Sequence, residues 1–400
     1  MKRGSWHQCG DRSQKLVQEQ LESGLGVGAV ISPRDVSFAK AQTDYAPAYH
    51  DAGAEVLVDP QFYLPEFSNA RLETYPIQPF RLPIATLAKN LDDLSKGLTD
   101  ALVEINLTLG THAIIAPAII YEAGRRDINS LNLRLLEIAN EAGQKLGRPT
   151  YSTVFLGRSI TSHQDNIERA LAEITASEVD GWYFGFEFGP ERVPSSEKDI
   201  FHACAAGITL AQTEAPILHA FAGPLALLSF GFGATGAGVG HSQNLWSFSR
   251  SRWQPSKNAG GGGDAPPRFF STSLWGTIIF PDETEQLSAE LRSEILTTTK
   301  FSSHFDTTVG QAWSRWDAGK HLVAAICSII DDMAHEKDLE KNLMSARQRL
   351  ERANELHQQI RKSGIYLKDN TNAYQSSWIA AIDEFVETYR TDLDFIKILS

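Results

Sequence analysis

Residues 231–242 read Gly-Phe-Gly-Ala-Thr-Gly-Ala-Gly-Val-Gly-His-Ser, so that Gly231, Gly233 and Gly236 reproduce the G-x-G-x-x-G spacing of a dinucleotide-binding turn. That fingerprint needs a strand before the first glycine, a helix after the third, and an acid about 20 positions on for the ribose. None of the three is evident here. Leu225–Phe230 reads as helical, the residues after Gly236 are small and extended, and the next acid is Asp264. The stretch reads instead as a helix closing on Gly231 and Gly233, where glycine accepts positive φ, followed by a strand over 234–240. Whether its glycines cradle a phosphate or only let a strand and a helix approach stays open at this level.

Working outward, seven further apolar runs are strand-like: 26–32, 55–59, 112–120, 152–157, 180–188, 216–222 and 271–280. Between several of them lie amphipathic stretches, Ile128–Gly147 and Gln164–Glu178, with apolar residues at three- and four-residue intervals. Buried strands alternating with helices argue for a parallel sheet. Eight units over residues 24–300 predict an α/β fold, a (β/α)8 TIM barrel, with residues 1–23 as an N-terminal extension and 301–400 as a C-terminal helical appendage. Insertions are expected at 60–87, rich in proline, and at 247–268, where Arg250, Arg252, Lys257 and Arg268 surround a run of four glycines. The first suits a binding loop or lid. The second suits contact with nucleic acid. Leu339, Leu343, Ala346, Leu350, Ala353, Leu356 and Ile360 follow a near-heptad spacing, which predicts either a helix packed on its own barrel or a coiled coil joining a homodimer or protein partner.

The formal net charge of −12 over 400 residues argues against a surface that grips phosphates everywhere. The 35 residues between Glu214 and Arg250 carry no Asp, Glu, Lys or Arg but are broken by prolines and glycines, so they read as core and not as a membrane span. Cys9, Cys204 and Cys327 stand far apart, which predicts a reducing, cytoplasmic setting and no cysteine-rich zinc site. The first 20 residues lack the apolar stretch of a secretory signal. No H-E-x-x-H or D-x-D-x-D-G pattern lies at a strand end, and neither a metal nor a cofactor is expected.

Barrels carry their chemistry at the C-terminal ends of the strands. Those ends hold Arg34 after the first expected strand, Asp59 at the second, Arg158 after the fourth, Glu187 in the fifth, His219 in the sixth, and His241 with Gln243 after the seventh. Asp59 and Glu187 each end an apolar run, where a carboxylate is desolvated unless paired or used. The structural readings beside these are that Asp59 caps the turn before Pro60, that Glu187 pairs with Arg158, and that His219 is a core histidine. As a site, Asp59, Glu187 and His219 are the candidate catalytic groups. Arg34, Phe62, Arg158, Trp182, Tyr183, Gly236, Gly238, His241 and Gln243 are the candidate ligand contacts, with aromatic rings for stacking and backbone amides for phosphate.

Three segments carry a family resemblance: Val56–Phe67 (VLVDPQFYLPEF), Asp180–Glu191 (DGWYFGFEFGPE) and Leu218–Ala234 (LHAFAGPLALLSFGFGA). In order, they are similar to segments of the tRNA-guanine transglycosylases. The resemblance implies a barrel acting on an N-glycosidic bond of a nucleoside, nucleotide or nucleic-acid base, with Asp59 at the family's general acid/base position. Two features of the family are missing. Ala234–Gly240 supplies no nucleophilic aspartate, and there is no cysteine-rich zinc motif. A non-catalytic ligand-binding or assembly subunit is the expectation from the other class.

Overall fold

A computed structural model describes residues 1–189, 191–254, 266–302, 314–368 and 373–399. In it the opening stretch is a 3-10 turn over Phe230–Phe232, a left-handed Gly233, and then a strand, Gly236–Gly240. That strand is the eighth of eight in one parallel sheet: β1 (Gly4–Gln8), β2 (Gly28–Ile31), β3 (Glu55–Val58), β4 (Ile114–Ile115), β5 (Thr150–Leu156), β6 (Gly181–Phe186), β7 (Ile217–His219) and β8 (Gly236–Gly240). The hydrogen-bonded order is β3-β2-β1-β8-β7-β6-β5-β4. The two ends of this order meet at a thin seam, where His112 N donates to Val56 O at 2.9 Å and Val56 N donates to His112 Nδ1 at 3.0 Å. The fold is a nearly closed (β/α)8 barrel.

Two features of the expected layout are displaced. Residues 4–8, inside the expected extension, supply the first strand, paired with both β2 and β8. The run at 271–280 belongs instead to a separate antiparallel hairpin, β9 (Arg268–Ser271) with β10 (Gly276–Ile279). Longer helices follow the strands: α1 (Gln14–Leu21), α2 (Ile84–Thr108), α3 (Arg126–Leu146), α4 (Gln164–Ile174), α5 (Glu197–Ala211) and α6 (Arg315–Ala334). Helix α6 packs on α1, β1 and β8. It therefore closes the ring as the eighth helix, and the barrel unit reaches beyond residue 300. Asp331 near its end fixes it there, accepting from Ser5 N at 2.7 Å and Gly26 N at 3.0 Å.

Side chains alternate along each strand. One set, including Trp6, Val30, Leu57, Ile115, Phe155, Tyr183 and Leu218, forms a cluster that fills the lumen. The other, including Ala29, Val56, Val154, Phe184 and Val239, packs beneath the helices. Gly236, Gly238 and Gly240 face the lumen side. A methyl group on Gly236 would lie 2.7 Å from the Trp6 indole, and one on Gly238 3.2 Å from Gln8 Oε1. The glycines thus make room for Trp6 and Gln8 on the neighbouring strand. Gly236→Val is expected to destabilise the fold by about 1–3 kcal/mol through overpacking, measured as a lower urea midpoint; an unchanged midpoint would show that Trp6 has room to move.

The near-heptad helix α7 (Leu339–Lys362) keeps its apolar stripe inside the chain. Leu343, Ala346, Leu350, Ala353 and Leu356 are fully buried, against the 230–232 turn and the following helix α8 (Ala373–Thr388). Of the two expected arrangements, the structure has the helix packed on its own chain, because α8 folds back over the stripe that a coiled coil would use. No helix of the described residues is long and apolar enough to cross a membrane.

Candidate functional site at the barrel mouth

Asp59 follows β3 at the C-terminal end of the barrel and is fully buried. Its Oδ2 accepts from Tyr63 Oη at 2.7 Å and Tyr183 Oη at 3.1 Å, and its Oδ1 from Gln61 N at 2.9 Å. Gln61 stands at φ 54°, so Asp59 does cap the turn, and it does so while carrying two phenols. Behind Tyr183, Gln8 donates from Nε2 at 3.4 Å, and Gln8 Oε1 is buried with no hydrogen-bond partner among the described residues. Burial pushes the Asp59 carboxyl up to about 6, against the three hydrogen bonds that favour its charged form. Tyr63 and Tyr183 are held well above the phenol range, by burial first and by the Asp59 charge second. They remain donors. The arrangement is a carboxyl that can take or give a proton near neutral pH, oriented by two fixed hydroxyls.

The segment after β8 covers this group. Phe248 and Trp253 enter the lumen and stack on each other at 4.9 Å, and Trp253 meets Tyr63 edge-on at 5.2 Å. Two arginines pin the cover. Arg252 donates to Asp35 Oδ2 at 2.9 Å while Arg34 donates to the Arg252 carbonyl at 2.7 Å and to Asp35 Oδ1 at 2.9 Å. Arg250 grips Glu187 through Nε at 2.8 Å and also reaches Glu122. These two cations, expected to serve a basic surface, are therefore neutralised by carboxylates of the mouth. Lys257 and the four-glycine run lie outside the described residues. The 60–87 insertion is likewise held in place: Arg81 donates to the carbonyls of Gln61 at 2.9 Å and Phe67 at 3.1 Å, over the Phe62 ring. That buries Phe62 in the layer under the helices.

The expected residues divide by strand parity. Tyr183 points inward to Asp59. Trp182 and His219 point outward, where Trp182 Nε1 donates to Thr213 Oγ1 at 2.8 Å and His219 Nδ1 bonds Ser229 Oγ at 2.8 Å. Packed among Phe184, Phe186 and Phe232, His219 is held neutral by burial, down to about 3. It does not join the mouth. Glu187 accepts from the Arg158 backbone N–H at 3.2 Å, but its charge partner is Arg250; the Arg158 guanidinium goes to Asp199 at 2.8 Å. Gly236 and Gly238 lie within β8, occupied with packing. His241 and Gln243 lie beside a cleft of about 580 Å³ between the end of β8 and the start of α6. Burial holds His241 down to about 4. Gln8 and Tyr63 were not among the expected site residues. Tyr63 lies four places beyond Asp59 within a quoted motif, whereas Gln8 becomes visible only once β1 is known. Among the described residues no cluster of His, Cys, Asp or Glu could hold a metal ion.

Compared with known proteins, the sequence matches no family model and no curated protein, so the functional reading rests on the geometry of this mouth.

Proposed function

We propose that the barrel processes a nucleoside, nucleotide or nucleic-acid base, with Asp59 as its proton-transfer group. The observation that carries this is the Asp59 carboxyl itself: enclosed at the C-terminal end of a barrel strand, oriented by Tyr63 and Tyr183, and poised to titrate near pH 6. The resemblance of residues 56–67, 180–191 and 218–234 to tRNA-guanine transglycosylases supports an N-glycosidic bond as the target. In the corresponding hydrolysis Asp59 gives its proton to the departing base nitrogen, which keeps the electron pair of the broken C1′–N bond. Water then attacks C1′ and returns a proton to the carboxylate. Base exchange through a covalent aspartyl intermediate has no nucleophile on β8, which holds only glycine, alanine and valine. For Asp59 to meet a substrate, Phe248 and Trp253 must leave the lumen.

That filled lumen favours the second reading, a ligand-binding or assembly subunit without turnover. Incubation of the pure protein with a panel of nucleosides, nucleotides and short RNA, followed by chromatography for free base, separates the two. Base release that is lost in Asp59→Asn supports the enzyme. A panel that binds without releasing base rejects it.

A further inference from the structure

The strap from Ser247 to Trp253, which ends in a 3-10 turn over Arg250–Trp253, fills the mouth with two kinds of group. Phe248 and Trp253 supply rings. The Phe248 centroid lies 4.7 Å from that of Phe155 and 5.0 Å from that of Tyr63, and Trp253 lies 6.1 Å from Phe221. Arg250 and Arg252 supply charge, the first to Glu187 and Glu122 and the second to Asp35, whose side chains are all at most 20% exposed. A carboxylate so enclosed is costly to leave without its cation.

The strap nevertheless fits its place imperfectly. Three buried polar atoms at the mouth, Gln8 Oε1, Arg252 Nη1 and Trp253 Nε1, have no hydrogen-bond partner among the described residues. A permanent core satisfies such groups. The strap's backbone is tied to the barrel by a parallel bridge between Glu187 and Phe248 and by Arg34 donating to the Arg252 carbonyl. Local opening breaks these ties without touching the eight-stranded sheet.

We propose that the strap is an internal stand-in for a ligand, and that the mouth, once the strap swings out, binds a compound that joins an aromatic ring to a cationic or amino group. Whatever displaces the strap must give Tyr63, Phe155 and Phe221 a ring to pack on. It must also give Glu187, Glu122 or Asp35 N–H donors in place of the guanidinium groups. A planar amidinium on a ring does both, since two parallel N–H groups match a carboxylate. A phosphate would instead meet three like charges. Gln8 Oε1 offers a further acceptor to the same donors. The proposal rests on the mouth of the nucleoside reading above and not on its reaction. Within that reading it selects a nucleoside whose base carries an amino group over a nucleotide.

The test is calorimetric titration of the full chain with benzamidine, its neutral isostere benzamide and the anion benzoate, together with hydrogen exchange of residues 247–254. Benzamidine is expected to bind about tenfold or more tightly than either of the others, and to quicken exchange in the strap. Arg250→Gln is expected to bind benzamidine about threefold to tenfold more tightly than the parent, because a larger open fraction lowers the apparent Kd in proportion. Glu187→Gln is expected to reduce the preference for benzamidine over benzamide by about threefold or more. A purely structural role for the pair predicts weaker binding in both variants. Circular dichroism checks that they fold; if either does not, the parent's ligand preference and strap exchange decide. The proposal is overturned if benzamidine fails to bind at about 10 mM, if it binds no better than benzamide, if it slows strap exchange, or if Arg250→Gln weakens its binding. Benzamidine binding by a chain that releases no base overturns the hydrolytic reading alone. Base release by a chain that ignores benzamidine overturns this proposal alone.

Discussion

Asp59→Asn is expected to lower turnover of the releasing substrate by about 10²–10⁴-fold, the usual contribution of a positioned proton-transfer group. Asparagine keeps the acceptor for Tyr63 and Tyr183 but can neither give nor take the proton. Glu214→Gln serves as the comparison, because Glu214 is exposed just before β7, at the opposite end of the barrel, and should leave turnover unchanged. The two variants differ in more than rate. With its carboxyl raised from 3.8 to about 6, Asp59 adds stability that is complete below about pH 4, where it is protonated in both states. That contribution is lost as the pH rises through about 6, where the folded protein must carry a buried charge. Above pH 7 the cost is of order 3 kcal/mol, and Asp59→Asn should remove part of it. The expected pair of results is therefore a slower and, at pH 8, more stable protein. Equal turnover in Asp59→Asn and the parent would reduce Asp59 to a turn cap.

Trp253→Ala should destabilise the fold by about 3–5 kcal/mol, the range for deleting a fully buried large aromatic side chain. The indole is 1% exposed and touches Phe248, Tyr63 and Phe221, three rings contributed by three loops. Deleting it empties the centre of the mouth and removes the floor under which Asp59 is dry. The carboxyl of the variant should titrate closer to 3.8, because burial is the main reason it is raised. Urea unfolding gives the first quantity, and the carboxyl carbon shift of Asp59 against pH gives the second. A loss below 1 kcal/mol with an unmoved titration would mean that the indole does not seal the lumen.

Seven of the eight barrel strands were legible as apolar runs, and α3 and α4 as amphipathic repeats. The missing strand, Gly-Ser-Trp-His-Gln at 4–8, has one large apolar residue. It is nonetheless buried throughout, because its polar groups meet partners from distant parts of the chain: the Ser5 N–H meets Asp331 and the His7 ring meets the Leu25 carbonyl. No local pattern announces such partners. The 271–280 run shows the opposite failure. Its composition suits any buried strand, and only the chain that pairs with it decides between barrel and hairpin. At the site, Asp59 stood out as a carboxylate ending an apolar run, and His219 was misplaced by one residue of parity, facing the helices where Leu218 faces the lumen. The Glu187–Arg250 pair spans 63 positions; a nearer arginine, Arg158, was the natural but different choice.

The position of β1 between β2 and β8 governs what a ribosome must wait for. Gln8 has its second neighbour only when Gly240 is made, roughly 230 residues later. At about 5–20 residues per second this is on the order of 10–50 s. Through that interval β1 to β3 can assemble only as an open-edged sheet, the kind of surface on which nascent chains adhere to one another. Slowing translation near residues 236–240 should therefore raise the fraction of chain found in aggregates or held by chaperones, whereas a pause after residue 240 should not.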